Sequence, residues 1–325
     1  MAFDFDRDNL IAAAELVHRH MAPTAQFAWP LLCEALGTEV WLKHENHTQT
    51  GAFKIRGGIT LIDWLKRSQP QTRGVVTATR GNHGQSQALA ARRANLHCRV
   101  YVPQGNSVEK NAAMRAFGAE LIEFGADFDT ARVEAMRVAE AEQLFAVPPF
   151  HEQLVRGVAS YALELFAGAP ALDTVYVPIG CGSGICGLIA ARDALGLSTE
   201  IVGVVSTGAP AAKRAFESGV LVQTESASTF ADGMAVRVVV PEAFEIYRRG
   251  TARIVAVTDD EVADAVRLIY RTTHNVAEGA GAAPVAAALQ ERAQLNDKRI
   301  ACILCGGNID TNIFAQILQG ETPVP

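Results

Sequence analysis

The chain has 325 residues, 49% of them hydrophobic and 20% charged, with a formal net charge of −6. Such a length exceeds the usual span of one domain and can bury a large core. The acidic balance excludes a phosphate backbone as partner, and no apolar run reaches the roughly 20 residues that cross a bilayer, so neither nucleic acid nor a membrane is expected.

In chain order, the polar and acidic start MAFDFDRDNL lacks the basic-then-apolar pattern of an export signal. A cytoplasmic location and reduced thiols for the six cysteines are the expectation. The run VWLKHE predicts a strand entering a polar turn, and a helix starting near Gly51 would carry Lys54 in its first turn, partly covered by Phe53 and Ile55. Burial and a positive helix end disfavour an ammonium ion there and make a lysine nucleophilic, although a snorkelling surface lysine fits the same residues. VVTAT predicts a strand, followed by Thr79-Arg-Gly-Asn-His-Gly-Gln85 and a helix over Gln85–Ala94. Free backbone N–H groups at that helix start suit a carboxylate; the plainer reading is a turn capped by Asn82.

CRVYVP and AELIEF predict two more strands, a helix follows over Asp127–Glu142, and Pro148-Pro149 marks a rigid junction. TVYVPI then runs into Gly180-Cys-Gly-Ser-Gly184, ahead of a helix starting near Ile185. Small residues at a helix start let N–H groups approach an anion, which points to a phosphate site; a tight turn needing small residues for packing is the alternative. No Gly-Lys-Ser/Thr follows and no acidic residue ends the next strand, EIVGVVS, so neither a P-loop nor a dinucleotide fingerprint is present. ARIVAVT, a helix over Asp259–Arg271 and RIACILCGG complete the pattern. Cys302 and Cys305 form a C-x-x-C with no second pair at zinc spacing, so no metal site is expected.

Strands alternating with amphipathic helices predict an α/β protein with parallel-rich open sheets, helices on both faces, and ligands at the carboxyl ends of strands. The glycine-rich turns at Gly81, Gly180 and Gly306 would converge on one cleft. The segment 50–147 has its own strand–helix pairs and reads as a small lobe inserted into a larger one formed by 1–49 and 148–325.

The ordered motifs K-x-E-N-x-x-x-T-G-A-F-K-x-R-G around Lys54, T-x-G-N-H-G-Q around Asn82, the loop at Gly180 and a late C-G-G-N resemble the serine/threonine dehydratases. These are fold-type II pyridoxal-phosphate enzymes, tryptophan synthase β-like in architecture and related to serine racemase, with the active site between two lobes. The likeness extends through Thr229-Phe-Ala-Asp-Gly233 and Glu278-Gly-Ala-Gly281. It implies that Lys54 holds pyridoxal 5′-phosphate as a Schiff base and later moves the Cα proton of the substrate. Phe53 would lie beneath the pyridine ring, and Asn82 would reach the cofactor's phenolic oxygen. Gly180, Cys181, Gly182, Ser183 and Gly184 would hold the phosphate, Cys305 would face the pyridine nitrogen where the family usually has serine, and Gly233 and Glu278 would also border the cofactor. Thr79, Gly81, Asn82 and His83 would cradle the substrate carboxylate. The implied reaction removes water from an L-3-hydroxy amino acid, and the enamine released hydrolyses to a 2-oxo acid and ammonia. A homodimer is expected from the same likeness.

The chain departs from the family in three places. Arg80 stands where racemases have a serine, and arginine cannot give up its proton, so racemisation is not expected. Its guanidinium could pair with a second substrate carboxylate, contact the cofactor, or point into solvent. Val205, Ala209 and Ala211 match the family's metal site without its two carboxylates, so metal activation is not expected either. Arg156-Gly-Val-Ala-Ser160 replaces A-G-Q-G-T, which would alter packing below the cofactor. Phe230 and Met234, in or beside the pocket-lining segment, favour an apolar β-substituent and place phenylserine ahead of threonine or serine, with 3-hydroxyaspartate third. The chain ends at Pro325, shortly after the last motif, so feedback through an added C-terminal regulatory domain is not expected. Two other classes are a nicotinamide-dependent oxidoreductase, which leaves the Lys54 motif unexplained, and a non-catalytic ligand-binding relative, which leaves the intact lysine without a use.

Overall fold

The computed structural model describes residue 3 and residues 5–324. Among them the strands are β1 (Gln26–Ala28), β2 (Glu39–His44), β3 (Gly74–Ala78), β4 (His97–Val102), β5 (Glu120–Glu123), β6 (Phe145–Ala146), β7 (Thr174–Pro178), β8 (Glu200–Ser206), β9 (Arg253–Val257) and β10 (Arg299–Leu304). Four of them form a parallel sheet in the order β5-β4-β3-β6. The other six are ordered β1-β2-β10-β7-β8-β9, parallel except for the antiparallel edge pair β1–β2. Parallel strands require long crossovers, and the helices that supply them bury the sheets, which is why runs such as Ile201–Ser206 are buried at every position. The α/β architecture is the expected one. No helix among the described residues is long and apolar enough to cross a membrane.

Every predicted strand is present; β1 and β6, of three and two residues, were not foreseen. Three helix starts differ from expectation, each for a local reason. The helix Lys54–Ser68 begins at Lys54 because Gly51 is left-handed (φ 65°) and Thr48 Oγ1 holds both the N–H and the carbonyl of Ala52 in a turn. The helix Ser183–Ala194 begins two residues before Ile185, directly after left-handed Gly182 (φ 100°). The helix Asn82–Arg93 begins at Asn82, with Gly81 at its cap position and no side-chain cap, so Asn82 is not the cap.

The helix Lys54–Ser68 is clamped between two others by glycine contacts. A Cβ on Gly57 would come within 2.8 Å of Leu154 O, and one on Gly157 within 2.3 Å of Arg56 O, so these backbones of the helices Lys54–Ser68 and Glu152–Gly168 touch directly. On the other side, a Cβ on Gly58 would meet Ser86 Oγ at 2.3 Å, and that hydroxyl donates to Lys54 O at 2.7 Å. Of the replaced segment Arg156–Ser160, Gly157 therefore makes the close helix crossing and Ser160 accepts from Arg56.

Beneath this crossing lies a buried charge cluster. Arg56 is fully buried; its Nε and Nη2 donate to Glu45 at 2.7 and 2.9 Å, and its Nη1 and Nη2 to Glu164 at 2.6 and 2.9 Å. Lys43, also fully buried, donates to Glu164 at 2.6 Å and to Thr24 O at 2.9 Å. Two cations meet two carboxylates, so the cluster is neutral and its members are hydrogen-bonded, as buried charges must be. Burial alone would raise the Glu164 pKa, but Arg56 and then Lys43 outweigh it and hold the carboxyl at about 2.

Replacing Arg56 with Met should leave both carboxylates buried without their main partner. We expect a loss of about 3–5 kcal/mol, read from urea unfolding. The stability that Glu164 contributes is complete above the ordinary glutamate value of 4.5 and is lost as pH falls from there through about 2. An acid-unfolding profile of Glu164→Gln should accordingly be flatter over that window than that of the unmodified protein.

Candidate active site

The first and last motifs are joined by backbone hydrogen bonds at the carboxyl ends of β2 and β10. Phe53 N donates to Cys305 O at 3.0 Å, Gly307 N to Gly51 O at 2.9 Å, and Glu278 N to Gly306 O at 3.1 Å. The turn that carries Lys54 therefore rests on the strand end that carries Cys305. Lys54, the first residue of its helix, keeps part of its surface open to the cleft. Its Nζ lies 4.7 Å from the centroid of the Phe53 ring and 3.2 Å from Ser183 Oγ. Loss of hydration lowers its pKa from the usual lysine value, against smaller opposing effects of Cys181, Cys305 and Glu278.

Facing Lys54 is the loop Gly180-Cys-Gly-Ser-Gly184. A Cβ on Gly180 would come within 2.4 Å of Gly233 O, so Gly233 shapes this loop although it is itself exposed. Ser183 and Gly184 are the first residues of the helix Ser183–Ala194, whose leading N–H groups have no partner within the helix. Tyr161 Oη donates to Gly184 O at 2.9 Å and packs edge-on to Phe53, fixing loop and ring together. Behind the loop is a small apolar cavity whose lining includes Gly180, Cys181, Ala209, Ala211, Met234 and Tyr247. Ala209 and Ala211, the positions matched to metal-binding carboxylates, are thus buried in an apolar wall. Met234 fills the same wall, while Phe230 packs its ring over Gly279.

The third wall is the start of the helix Asn82–Arg93. Asn82 Nδ2 donates to Glu278 Oε1 at 2.7 Å, and its Oδ1 accepts from Asn308 Nδ2 at 2.8 Å. Asn308 also donates to Thr50 O at 2.8 Å, so one amide chain links the motifs around Lys54, Asn82 and Cys305. Burial raises the Glu278 pKa to about 7, with Lys110 pulling it down and Asp232 pushing it up. Thr79 is buried and its Oγ1 accepts from Gly81 N at 3.1 Å. His83 Nε2 is buried with no hydrogen-bond partner among the described residues, and burial followed by the nearby Lys54 holds its pKa at about 3. Cys305 is buried, and burial pushes its thiol pKa well above the ordinary range. Arg80 departs from this convergence. Its side chain is exposed, and its guanidinium has no hydrogen bond or ion pair among the described residues.

The structure thus brings Lys54, Phe53, Asn82, His83, Glu278, Cys305 and the Gly180 loop around one cleft, with Gly233 at its edge and Arg80 exposed. Sequence reasoning missed Lys110, Tyr161 and Asn308. Asn308 lies inside the late G-G-N, but nothing adjacent to Lys110 or Tyr161 sets them apart from ordinary helix residues.

A loop of small residues at a helix start, a desolvated lysine, an unpartnered imidazole and a neutral thiol around one cleft fit a phosphorylated pyridine aldehyde. Comparison with known proteins agrees. Residues 17–306 match the family model described as pyridoxal-phosphate dependent enzyme. An L-threonine ammonia-lyase of Thermotoga maritima is 34% identical over 305 residues, covering 94% of this chain and 75% of the relative. An L-threo-3-hydroxyaspartate ammonia-lyase of Saccharomyces cerevisiae is 28% identical over 319 residues, covering 98% and 97%. Maize serine racemase superposes with a TM-score of 0.90 at 26% identity, covering 97% of both chains. With nearly its whole length matched and a site that suits the cofactor, the chain belongs to the pyridoxal-phosphate dependent enzymes.

Proposed function

We propose that this enzyme is a lyase that eliminates water from an L-3-hydroxy amino acid, phenylserine first, yielding a 2-oxo acid and ammonia. The observation that carries this reading is the desolvated Lys54 amine, held at a helix start 3.2 Å from Ser183 Oγ and facing the Gly180 loop. When bound, pyridoxal phosphate supplies an electron sink conjugated to the substrate's Cα.

The chain's own residues supply the rest. A lowered pKa makes the neutral Lys54 amine more available, so it can bond the cofactor and, once freed, take the Cα proton as general base. Partial charges at the start of the helix Ser183–Ala194 and the bare backbone of the Gly180 loop favour a phosphate there. Asn82, fixed at both ends by Glu278 and Asn308, has one N–H left for the cofactor's phenolic oxygen. Neutral His83, the Thr79 turn and the leading N–H groups of the helix Asn82–Arg93 suit the substrate's α-carboxylate. Cys305, kept as a neutral thiol, puts no anion at the cleft floor, and that suits prompt loss of a β-leaving group over transamination.

Substrate choice rests on what surrounds the β-carbon. Phe230, half-buried with its ring against Gly279, supplies apolar surface near the cleft. That apolar surface supports phenylserine over 3-hydroxyaspartate. Threonine is the second reading, favoured by the named activity of the Thermotoga relative. A homodimer is part of the same proposal, by likeness alone.

With added pyridoxal phosphate the purified protein should show a visible absorption band and release 2-oxo acid fastest from phenylserine among phenylserine, threonine, serine and 3-hydroxyaspartate. Lys54→Ala should lose that band and lower turnover by about 10³-fold or more. A protein that stays colourless with the cofactor would overturn the proposal. Cys305→Ser should retain most elimination activity, whereas Cys305→Asp, which places an anion at the floor, should lower it and shift the band.

A further inference from the structure

Lys110 lies in the helix Val108–Ala116, is 7% exposed, and places a cation inside the cleft. Its methylenes lie against Gly81, where an added Cβ would come within 2.6 Å of Lys110 Cδ. Its Nζ is 2.5 Å from Asp232 Oδ2 and 3.9 Å from Glu278 Oε2, the carboxylate that holds Asn82. Burial opposes its charge, but Asp232 and then Glu278 outweigh burial and raise its pKa. A firmly charged ammonium therefore stands beside the Thr79–His83 turn, with the carboxyl groups of Asp232 and Glu278 next to it. Arg80, the cation that sequence alone offers for a second carboxylate, is exposed and makes no hydrogen bond or ion pair among the described residues, whereas Lys110 is buried and paired.

We infer that Asp232 is the residue that selects for substrates with an uncharged β-substituent, by engaging Lys110 and denying it to a second substrate carboxylate. The inference rests on the reading that the Thr79–His83 turn receives the substrate's α-carboxylate. A dianionic substrate entering there would have to separate Lys110 from a partner at 2.5 Å while approaching both Asp232 and Glu278. An amide in place of the Asp232 carboxylate keeps the volume, removes one negative charge and leaves Lys110 free to bind the newcomer.

The test compares the unmodified enzyme with Asp232→Asn, and with Asp232→Ser should the amide variant not fold. It measures kcat/KM for phenylserine and 3-hydroxyaspartate, and the calorimetric Kd of succinate and of butyrate. Both variants should raise the ratio of kcat/KM for 3-hydroxyaspartate over phenylserine by about tenfold or more, the factor that one hydrogen bond to a charged group supplies. Succinate should bind tighter by a similar factor with butyrate unchanged, and adding Lys110→Met should abolish both gains. Equal loss for the two substrates, with succinate binding unmoved, would make Asp232 a brace between elements and overturn the inference. Should the unmodified enzyme release 2-oxo acid from no 3-hydroxy amino acid, the proposed function fails on its own, and the succinate and butyrate titrations still decide the role of Asp232.

Discussion

The guanidinium of Arg56 is held between Glu45 and Glu164, with its five N–H donors met by those carboxylates and by Ser160. Three elements meet at that point: the turn after β2, the helix that begins at Lys54, and the helix Glu152–Gly168. Lys54 and Arg56 are two residues apart on one helix, so they project about 200° from each other. Whatever fixes Arg56 in the core therefore fixes Lys54 toward the cleft. The glycine crossings at Gly57, Gly58 and Gly157 remove any slack along the axis. A nucleophilic amine needs placement to a fraction of an ångström, and a long side chain cannot supply that by itself. Here the rigidity comes from the opposite face of the same helix turn.

A second line of contacts runs across the mouth of the cleft, from Thr50 through Asn308, Asn82 and Glu278 to Lys110 and Asp232. It divides the cleft electrostatically. On the inner side, Lys54, neutral His83 and the thiol of Cys305 occupy a poorly hydrated space. On the outer side, charges stand in pairs. Glu278 sits at the boundary, and its raised pKa expresses that position: burial favours the neutral form while Lys110 favours the charged one.

Much of this was legible in the sequence. The β-branched runs identified the strands because parallel strands buried on both faces must be continuously apolar, and the glycines at 81, 180 and 306 marked the strand ends where chemistry gathers. Lys54, Cys305 and the Gly180 loop stand in motifs whose family resemblance pointed to them, and the fold brings all three together. Helix starts were less legible, since a left-handed glycine at 51 or 182 delays or advances the first turn in a way that composition does not show. Asn82 reads locally as a cap, and only the fold brings Glu278 and Asn308 to its two ends. Lys110 and Asp232 are 122 residues apart, and Arg56 and Glu164 are 108 apart. In each case the separate residues look like ordinary surface charges, and pairing is a property of topology. Arg80 shows the converse: an unusual residue inside a strong motif invites a role, yet its side chain is exposed and without a hydrogen bond or ion pair among the described residues.

The position of β10 has a consequence for how the molecule comes into being. This strand lies between β2 and β7 and pairs with both, although it is the last in chain order among the strands of the described residues. Until it inserts, β2 and β7 have no shared partner, and the larger sheet exists as two fragments with open edges. Strands β3 to β6 are contiguous in the chain and pair only among themselves, so the smaller sheet can form while the rest is still emerging from the ribosome. The turn at Lys54 is laid down early but acquires its floor only when Cys305 arrives beside it. The nascent polypeptide therefore has no complete binding cleft until β10 has been made and closes the central sheet.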